Sequence, residues 1–314
     1  MEKKIKVLYL GSIEGYESTL NVLSDFANVI NVPPKIELLS DQIEDADAIL
    51  DASMKTSISE ELLKNANKLK IISCATTGSD HISTNALIER KISLKTLKED
   101  GDLIKNITPA AELSWALLMA CSRKLNSALL DVKNGNWERE KFPGIMLRGK
   151  TIGIIGCGRI GGWMATYATA FGMNVIGYDP VITDFPNEIS PVSLESIFTD
   201  SDFISIHVHL SDLTRKMVSY ELIQKCKKGV IIINTSRGQI IDEEALIDGL
   251  KKKLIGAVGL DVISDEPHVN NSAIAQYGKE NDNVLITPHC GGFSPDAVKI
   301  VCRRAAEKIK IFFN

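Results

Sequence analysis

Three widely spaced residues, Arg237, Glu266 and His289, carry the side chains needed to reduce a carbonyl group beside a carboxylate. A guanidinium can hold the carboxylate of a 2-oxo acid through a two-pronged contact and can polarise the neighbouring carbonyl. A histidine can deliver the proton that the new alkoxide needs near neutral pH, and a glutamate can fix the histidine ring. The hydride itself would come from a cofactor. These residue types therefore suggest an oxidoreductase acting on small 2-oxo or 2-hydroxy acids.

A glycine motif earlier in the chain could bind such a cofactor. Gly156, Gly158 and Gly161 follow directly on an apolar run, in the pattern G-x-G-x-x-G. The first glycine permits a tight turn, the second lets the backbone approach a pyrophosphate, and the third lets helix and strand pack closely. The following helix offers free N–H groups to phosphates. The motif therefore predicts a dinucleotide site.

An acidic residue ends the next predicted strand. Asp179 lies at the spacing expected of a carboxylate that accepts hydrogen bonds from the adenosine ribose. The same carboxylate would repel the 2′-phosphate of NADP, which makes NAD the predicted cofactor. The alternative is that Asp179 and Pro180 form only a turn.

Apolar strands that alternate with helix-compatible segments would position these residues. Six such strands are expected in the second part of the chain, at residues 151–155, 174–178, 203–208, 230–234, 255–260 and 284–287. Six parallel strands with crossover helices make a full dinucleotide-binding sheet. Arg237, Glu266 and His289 each follow one of the last three strands. They should therefore meet at the sheet edge that carries the glycine motif.

A smaller parallel sheet is expected in the first part of the chain. Its predicted strands are residues 5–10, 48–51, 69–73 and 92–96. Apolar residues at helical spacing over 108–135 predict one long helix linking two domains, and the tail after Pro295 predicts a last helix. The fold class is therefore α/β with two domains.

Composition narrows the choice of partners. The 314 residues include 36 basic and 40 acidic side chains, which give a formal net charge of -4. This charge balance does not favour binding to nucleic acid. The apolar runs are too short to span a membrane, and the start predicts a strand rather than a signal peptide. The six cysteines show no zinc spacing, and His81 and His268 are expected in loops. We therefore expect a cytoplasmic protein with reduced thiols and no metal site.

Four blocks of the sequence resemble the D-isomer-specific 2-hydroxyacid dehydrogenase family. They are residues 149–161, 233–238, 259–267 and 287–292, and they occur in the family's order over nearly the whole chain. The resemblance implies that Arg237 binds the substrate and that Glu266 and His289 form the acid/base pair.

The resemblance further implies cofactor and substrate contacts, of which only that of Asp261, expected near the nicotinamide after the strand at 255–260, is also indicated by the residues. It assigns NAD contacts to Arg159, Ile160, Thr235 and Asp261, in addition to the glycine motif and the acidic residue after the second strand. It also assigns the substrate carboxylate to the backbone amides of a loop formed by Thr77, Gly78 and Ser79.

The family layout implies a discontinuous chain path. A flavodoxin-like substrate domain would comprise residues 1–104 and 290–314, and a Rossmann-type, doubly wound NAD-binding domain would comprise residues 105–289. A homodimer would form through the NAD-binding domains.

Two departures from the family pattern concern the substrate. Relatives acting on 3-phosphoglycerate usually carry arginines in the substrate domain, at positions that match Ala52 and Cys74 here. A phosphorylated substrate is therefore disfavoured, although Lys55 could replace some of the charge. His209 stands where the family often has proline, and we expect it to alter a loop rather than the nicotinamide pocket.

Two other functions stay open at this stage. An NAD(H)-sensing, corepressor-like binding protein could keep the same fold and recruit a partner without turnover. A formate-type dehydrogenase, which needs no proton transfer, is less favoured because Glu266 supplies a carboxylate where such relatives carry an amide.

Overall fold

Parallel sheets organise two structural units in the computed structural model, which describes residues 4–314. The first unit combines the chain up to Ile107 with Phe293–Asn314, and the second unit is Thr108–Gly292. Each boundary lies three residues beyond the one expected from the sequence.

The sheet of the first unit has five strands in the order β2-β1-β3-β4-β5, all parallel. This is the flavodoxin-like order. Its strands are β1 (Ile5–Leu10), β2 (Ala27–Asn31), β3 (Ala48–Asp51), β4 (Ile71–Cys74) and β5 (Ser93–Lys95). The helices between and after them are α1 (Ile13–Leu23), α2 (Ile36–Ser40), α3 (Glu60–Lys64), α4 (Thr84–Glu89) and α5 (Gly101–Ile104).

The sheet of the second unit has seven parallel strands in the order β12-β11-β10-β9-β6-β7-β8. The unit runs through α6 (Pro109–Ser122), α7 (Leu125–Lys133), β6 (Thr151–Ile155), α8 (Arg159–Ala170), β7 (Asn174–Tyr178), β8 (Ser190–Pro191), α9 (Leu194–Asp200), β9 (Phe203–Ile206), α10 (Tyr220–Gln224), β10 (Val230–Asn234), α11 (Glu243–Lys251), β11 (Ile255–Leu260), α12 (Ala273–Glu280) and β12 (Val284–Ile286). The chain then forms α13 (Pro295–Phe313) in the first unit. The reversal of strand order beside β6 is typical of a doubly wound nucleotide-binding sheet.

The structure corrects three details of the sequence prediction. Two short edge strands, β2 and β8, were not predicted, and both lack the continuous apolar run that marks a central strand. The prediction of a single helix over 108–135 is wrong, because this segment forms two helices, α6 and α7. They are separated at Lys124, which takes a left-handed conformation with φ +49°. No regular helix passes through that conformation.

Helix α13 completes the core of the first unit. Its buried residues Cys302, Ala305 and Ala306 pack with Val7 and Tyr9 of β1. Small side chains on the helix allow a close approach to the sheet, and the Ser73 hydroxyl of β4 donates to the Ala305 carbonyl at 2.9 Å. The last segment of the chain therefore belongs to the first sheet, as the family layout implied.

A buried ionic cluster also fixes α13 within the first unit. Arg304 Nε donates to Asp100 Oδ1 at 2.6 Å, and Lys308 forms an ion pair with Asp100 Oδ2. Lys308 also donates to the Thr96 carbonyl at 2.6 Å. Burial alone would raise the pKa of Asp100, but the hydrogen bonds from Lys308 and Arg304 outweigh it and hold the pKa below its ordinary value.

Replacing Asp100 by asparagine should lower the free energy of unfolding by about 2–4 kcal/mol, because it leaves buried Lys308 without its counter-ion. Because the native pKa of Asp100 is depressed, its stabilising contribution is present above the unfolded pKa, near 3.9, and is lost as pH falls further. Urea unfolding at pH 7 and pH 3.5 measures both effects. An equal loss of unfolding free energy on replacing Asp100 at the two pH values would contradict this account.

None of the helices in residues 4–314 is long and apolar enough to cross a bilayer. All six cysteines are free thiols, and five of them are buried.

Candidate active site

The carboxyl ends of the strands in the seven-stranded sheet carry the polar residues of interest. The glycine motif follows β6, Asp179 follows β7, and Arg237, Glu266 and His289 follow β10, β11 and β12. Because all seven strands are parallel, these ends lie along one edge of the sheet. The strand order reverses between β6 and β9, where ligands bind in sheets of this type.

The glycine motif has the geometry its spacing predicts. Gly156 has φ +96°, and a Cβ there would lie 2.5 Å from the carbonyl carbon of His207. A Cβ on Gly161 would lie 2.1 Å from the carbonyl oxygen of Gly156. Beside Gly158, the only described atom near a Cβ position is Ile182 Cδ1 at 3.6 Å. Two glycines are therefore required for packing, while the space beside the third is open to a ligand.

Helix α8 begins directly after the glycine motif. Gly158 is its N-cap residue and no described side chain caps it, so the first backbone N–H groups, from Arg159 onward, are available to an anion. Arg159 and Ile160 are both half-buried, and burial lowers the pKa of the Arg159 guanidinium. This helix start fits the diphosphate of a dinucleotide.

Asp179 already binds the glycine loop. Its Oδ2 accepts a hydrogen bond from Cys157 N at 2.8 Å, and its Oδ1 accepts from Val181 N and Ile182 N at 2.8 Å each. The carboxylate thus fixes the loop as well as presenting negative charge where a ribose is expected. Oxygens of a carboxylate can each accept more than one hydrogen bond, so a ribose hydroxyl can still be bound.

The segment after β10 is held by a residue that the sequence analysis did not single out. Asn234 is fully buried, its Oδ1 accepts from Ser236 N at 3.0 Å, and its Nδ2 donates to the Arg237 carbonyl at 2.9 Å. The Ser236 hydroxyl donates to the Ile206 carbonyl of β9 at 2.7 Å. The backbone of half-buried Arg237 is therefore fixed on both sides. A polar residue ending the otherwise apolar run 230–234 was the available signal.

Thr235 is tied to α6. Its hydroxyl lies 2.7 Å from the hydroxyl of buried Ser114, which in turn lies 2.7 Å from the Ala110 carbonyl. This contact joins residues 121 positions apart. It positions Thr235 at the sheet edge beside Arg237.

His289 and Glu266 form a close pair. His289 Nδ1 lies 3.0 Å from Glu266 Oε2 and 3.2 Å from Oε1. The pair is partly exposed, with 37% of the His289 side chain and 27% of the Glu266 side chain accessible. Glu266 orients the ring through Nδ1, so Nε2 is the nitrogen that can serve a reactant.

Asp261 organises the loop that carries His289. Its buried carboxylate accepts from the Thr287 hydroxyl at 2.5 Å, from Cys290 N at 2.9 Å and from Gly291 N at 2.7 Å. Its backbone carbonyl accepts from His289 N at 2.9 Å. His289 itself has φ +51°, a conformation that such surrounding contacts must hold. Asp261 therefore positions the histidine, a role that its spacing did not reveal.

Two histidines lie in the segment after β9. His209 is exposed and its carbonyl accepts from the Thr214 hydroxyl at 2.6 Å, which places it in a loop. Desolvation lowers the pKa of His207 to about 3, and its Nε2 lies 2.7 Å from the Ser205 hydroxyl. His207 is therefore uncharged at neutral pH beside the glycine loop.

The loop formed by Thr77, Gly78 and Ser79 belongs to the first unit and follows β4. The Thr76 hydroxyl donates to the Gly78 carbonyl at 2.8 Å, and Ile82 N donates to the Ser79 carbonyl at 3.1 Å. The loop is half-buried and internally braced.

Two family profiles cover most of the chain. The profile for the NAD binding domain of D-isomer specific 2-hydroxyacid dehydrogenases matches residues 115–291, and the profile for their catalytic domain matches residues 12–98. The chain belongs to the D-isomer specific 2-hydroxyacid dehydrogenase family. The second unit is therefore the NAD-binding domain of this family, and NAD is its cofactor.

Curated relatives agree with membership of the D-isomer specific 2-hydroxyacid dehydrogenases. The chain is 38% identical to the hydroxypyruvate reductase of Thermotoga maritima over 261 residues, covering 83% of each chain. It is 36% identical over 300 residues to the D-3-phosphoglycerate dehydrogenase of Methanocaldococcus jannaschii, covering 94% of this chain and 55% of that protein. The chain thus spans about half the length of the phosphoglycerate dehydrogenases it matches.

Solved structures of this dehydrogenase fold match over nearly the whole chain. The D-lactate dehydrogenase of Aquifex aeolicus, complexed with NAD and lactic acid, matches with a TM-score of 0.85 and 26% identity over 98% of this chain and 95% of that one. An acyclic imino acid reductase in complex with NADPH and D-Arg matches with a TM-score of 0.84 and 26% identity over 98% and 97%. The two-sheet α/β fold predicted from the sequence is confirmed.

Proposed function

We propose that this protein transfers a hydride between NAD(H) and the C2 atom of a small D-2-hydroxy or 2-oxo acid. The observation that carries the proposal is the His289–Glu266 pair, with Nδ1 at 3.0 Å from the carboxylate, on the sheet edge that also carries Arg237 and the glycine motif. Reduction of a 2-oxo acid requires a proton donor beside the nicotinamide that supplies the hydride, and an acid/base pair provides it.

In the reducing direction, bound NADH supplies the hydride. The Arg237 guanidinium binds the substrate carboxylate and polarises the C2 carbonyl. His289 donates its Nε2 proton to the oxygen that becomes the hydroxyl, and it keeps the Nδ1 proton in its hydrogen bond to Glu266. In the oxidising direction the same nitrogen accepts the hydroxyl proton. The net change is one oxo acid, one NADH and one proton converted to one hydroxy acid and NAD.

Cofactor contacts follow from the loops after β6, β7 and β10. Gly156, Gly158 and Gly161 would shape the diphosphate site, with backbone N–H groups of Arg159 and Ile160 donating to its oxygens. Asp179 would accept from the adenosine ribose. Thr235 and Asp261, which the family resemblance assigns to NAD contacts, would line the nicotinamide end. Because groups of Thr287, Cys290 and Gly291 already bind the Asp261 carboxylate, its main contribution in this proposal is to the His289 loop.

Substrate selection is the proposed role of the 77–79 loop and the strand ends of the first unit. By family resemblance, the amides of Thr77, Gly78 and Ser79 bind the substrate carboxylate. Where relatives acting on 3-phosphoglycerate usually carry arginines, this chain has Ala52, directly after β3, and Cys74, at the end of β4, which disfavours a phosphorylated substrate. We therefore favour unphosphorylated acids such as glyoxylate, pyruvate and hydroxypyruvate. The relatives named above are dehydrogenases and reductases, and they lend no support to the corepressor alternative.

The decisive experiment is NADH oxidation by the purified protein with a panel of unphosphorylated 2-oxo acids and with 3-phosphohydroxypyruvate. We expect turnover with at least one unphosphorylated acid, and weaker turnover with NADPH because Asp179 opposes the 2′-phosphate. Binding of NADH without turnover of any acid would contradict the proposed reaction. A preference for the phosphorylated acid would contradict the substrate class alone.

We also propose a homodimer formed through the second unit. The helix α7 and the segment after it expose a set of large apolar side chains, here called the apolar arm: Leu125, Leu129, Leu130, Val132, Trp137 and Met146. Trp137 is 88% exposed and Met146 is 74% exposed. Exposed large apolar side chains concentrated in one segment mark an interface more often than free solvent-facing surface. A second copy of the chain, with an identical arm, is the partner that family membership indicates.

Replacing Leu129 and Leu130 together by aspartate should separate the dimer, because it places charges in an apolar interface. Light scattering after gel filtration should give twice the chain mass of 34.4 kDa for the unaltered protein and the single-chain mass for the variant. Ile88→Asp is the matched control, since Ile88 is 76% exposed on α4 of the first unit. A monomeric parent protein, or a variant that stays dimeric, would refute this interface.

A further inference from the structure

A second imidazole–carboxylate pair lies within the first unit. Asp51 ends β3, and His81 lies in the turn that follows the 77–79 loop. His81 Nε2 is 2.6 Å from Asp51 Oδ2. The side chains are 11% and 1% exposed respectively. His81 was expected to be only a loop histidine, so this buried partner is a finding of the structure.

A thiol completes a three-residue cluster. Cys74 ends β4 and is paired in register with Asp51 on the neighbouring strand β3. One donor atom from each of Asp51, Cys74 and His81 lies within 4.8 Å of the other two. Burial, and secondly the charge of Asp51, raise the pKa of the Cys74 thiol, as expected of a thiol held beside a carboxylate. The cluster thus brings together oxygen, sulfur and nitrogen donors from three separate segments of the chain.

The pair of Asp51 and His81 leaves one ring nitrogen unused. His81 Nδ1 is buried and has no hydrogen-bond partner among the described residues. Burying a polar atom without a partner is costly, so the hydrogen bond to Asp51 alone leaves the His81 ring incompletely satisfied. Nε2 is the nitrogen that faces Asp51, and it would be the one to ligate a cation held between the three side chains.

The carboxylate is oriented by its own surroundings. Asp51 Oδ1 accepts from Ser53 N at 2.9 Å, from the Ser53 hydroxyl at 3.0 Å and from Met54 N at 3.3 Å. These hydrogen bonds fix Oδ1 and leave Oδ2 directed at His81. Hydrogen bonds to the second oxygen of a ligating carboxylate have this orienting role in metal sites.

We propose that Asp51, Cys74 and His81 bind a divalent cation of the zinc class. Carboxylate oxygen, thiolate sulfur and imidazole nitrogen are the ligands zinc takes, and three protein ligands leave a fourth position open. A doubly charged cation neutralises one carboxylate and one thiolate, which makes the buried cluster uncharged. Bond lengths of about 2.0–2.3 Å bring the donors to separations of about 3.3–3.6 Å, within a short movement of their present positions.

Bound metal would hold the turn at His81 against the ends of β3 and β4. Along the chain, these three residues match no zinc spacing, which is why the sequence analysis predicted no metal site. Strand pairing and the return of the 75–82 segment bring them together. The proposal concerns binding by the first unit, and it does not depend on the proposed catalytic reaction.

Cobalt(II) is the probe, because it replaces zinc and absorbs visibly. Titration of the chelator-treated full chain should give one equivalent of tetrahedral cobalt with a thiolate-to-cobalt charge-transfer band, and zinc should remove both signals. Cys74→Ser should abolish the charge-transfer band. Cys302→Ser is the matched control, since Cys302 is an equally buried thiol of the same unit and should leave the band unchanged.

The remaining variants separate this site from other ligands. Asp51→Asn and His81→Gln should each weaken cobalt binding by at least the roughly 10- to 100-fold that loss of even a supporting group produces. His289→Gln should leave binding unchanged, because that imidazole belongs to the other pair. Circular dichroism will show whether Cys74→Ser folds. If it does not, cobalt binding by His81→Gln decides the test, because His81 lies in a turn and its replacement disturbs the sheet less. Absence of the band in the parent chain, or its survival in Cys74→Ser, would overturn the proposal.

Discussion

Replacing Arg237 by glutamine is expected to lower kcat/KM for 2-oxo acid reduction by roughly 30- to 5,000-fold. The change removes a charge-assisted contact to the substrate carboxylate, and losing one partner of such a pair costs about 2–5 kcal/mol. Part of the loss should fall on kcat, because the guanidinium also polarises the carbonyl in the transition state. Steady-state rates of NADH oxidation, with the preferred acid varied, measure both constants.

Two controls isolate the guanidinium. Arg237→Lys keeps the charge but loses the two-pronged geometry, so it should recover only part of the activity. Arg215→Gln removes an exposed arginine of the same unit and should leave kcat/KM unchanged. NADH binding, followed by fluorescence, should be similar in all four proteins. An Arg237→Gln protein with unchanged kcat/KM would remove Arg237 from the substrate site.

The features that the sequence predicted well are those encoded by residues close together in the chain. The apolar run of β10 and the glycines after β6 each depend on neighbours within a few positions. Parallel strands then place the segments that follow them along one edge, whatever their separation in the chain. For this reason Arg237, Glu266 and His289 could be assigned to a common edge from spacing alone.

The contacts that hold these residues in place could not be predicted in the same way. Ser114 reaches Thr235 across 121 positions, and Asp261 binds a loop 26 to 30 positions later. Such pairs exist only after helix and sheet have packed. The left-handed turn at Lys124 is likewise invisible in the apolar pattern, because that pattern continues on both sides of the break.

The same limit applies to Asp51 and His81. A histidine in a polar segment predicts a loop, and His81 does lie in a turn. What the pattern omits is the direction of the side chain, which points back to the end of β3. Residues at strand ends therefore carry the signal that matters for function, and their partners must be found in three dimensions.

Replacing His289 by glutamine is expected to reduce kcat by about 10²–10⁴-fold, the range that a positioned general acid contributes. Glutamine can fill similar space and donate a hydrogen bond, but it cannot transfer the proton. NADH affinity should be unchanged, since the glycine motif and Asp179 are untouched. Rapid-mixing measurements of NADH oxidation should show the loss in the chemical step itself, before product is released.

Glu266 should act through His289, and a double-variant cycle tests this dependence. Glu266→Gln alone should lower kcat less than His289→Gln, because an amide oxygen can still accept from Nδ1 but no longer stabilises the charged ring. In the His289→Gln background the same change should have no further effect, since its target is gone. Multiplying losses in the double variant would mean that Glu266 acts on the substrate or cofactor directly. The pair at 3.0 Å would then be a structural contact, and the assignment of His289 as an oriented proton donor would fail.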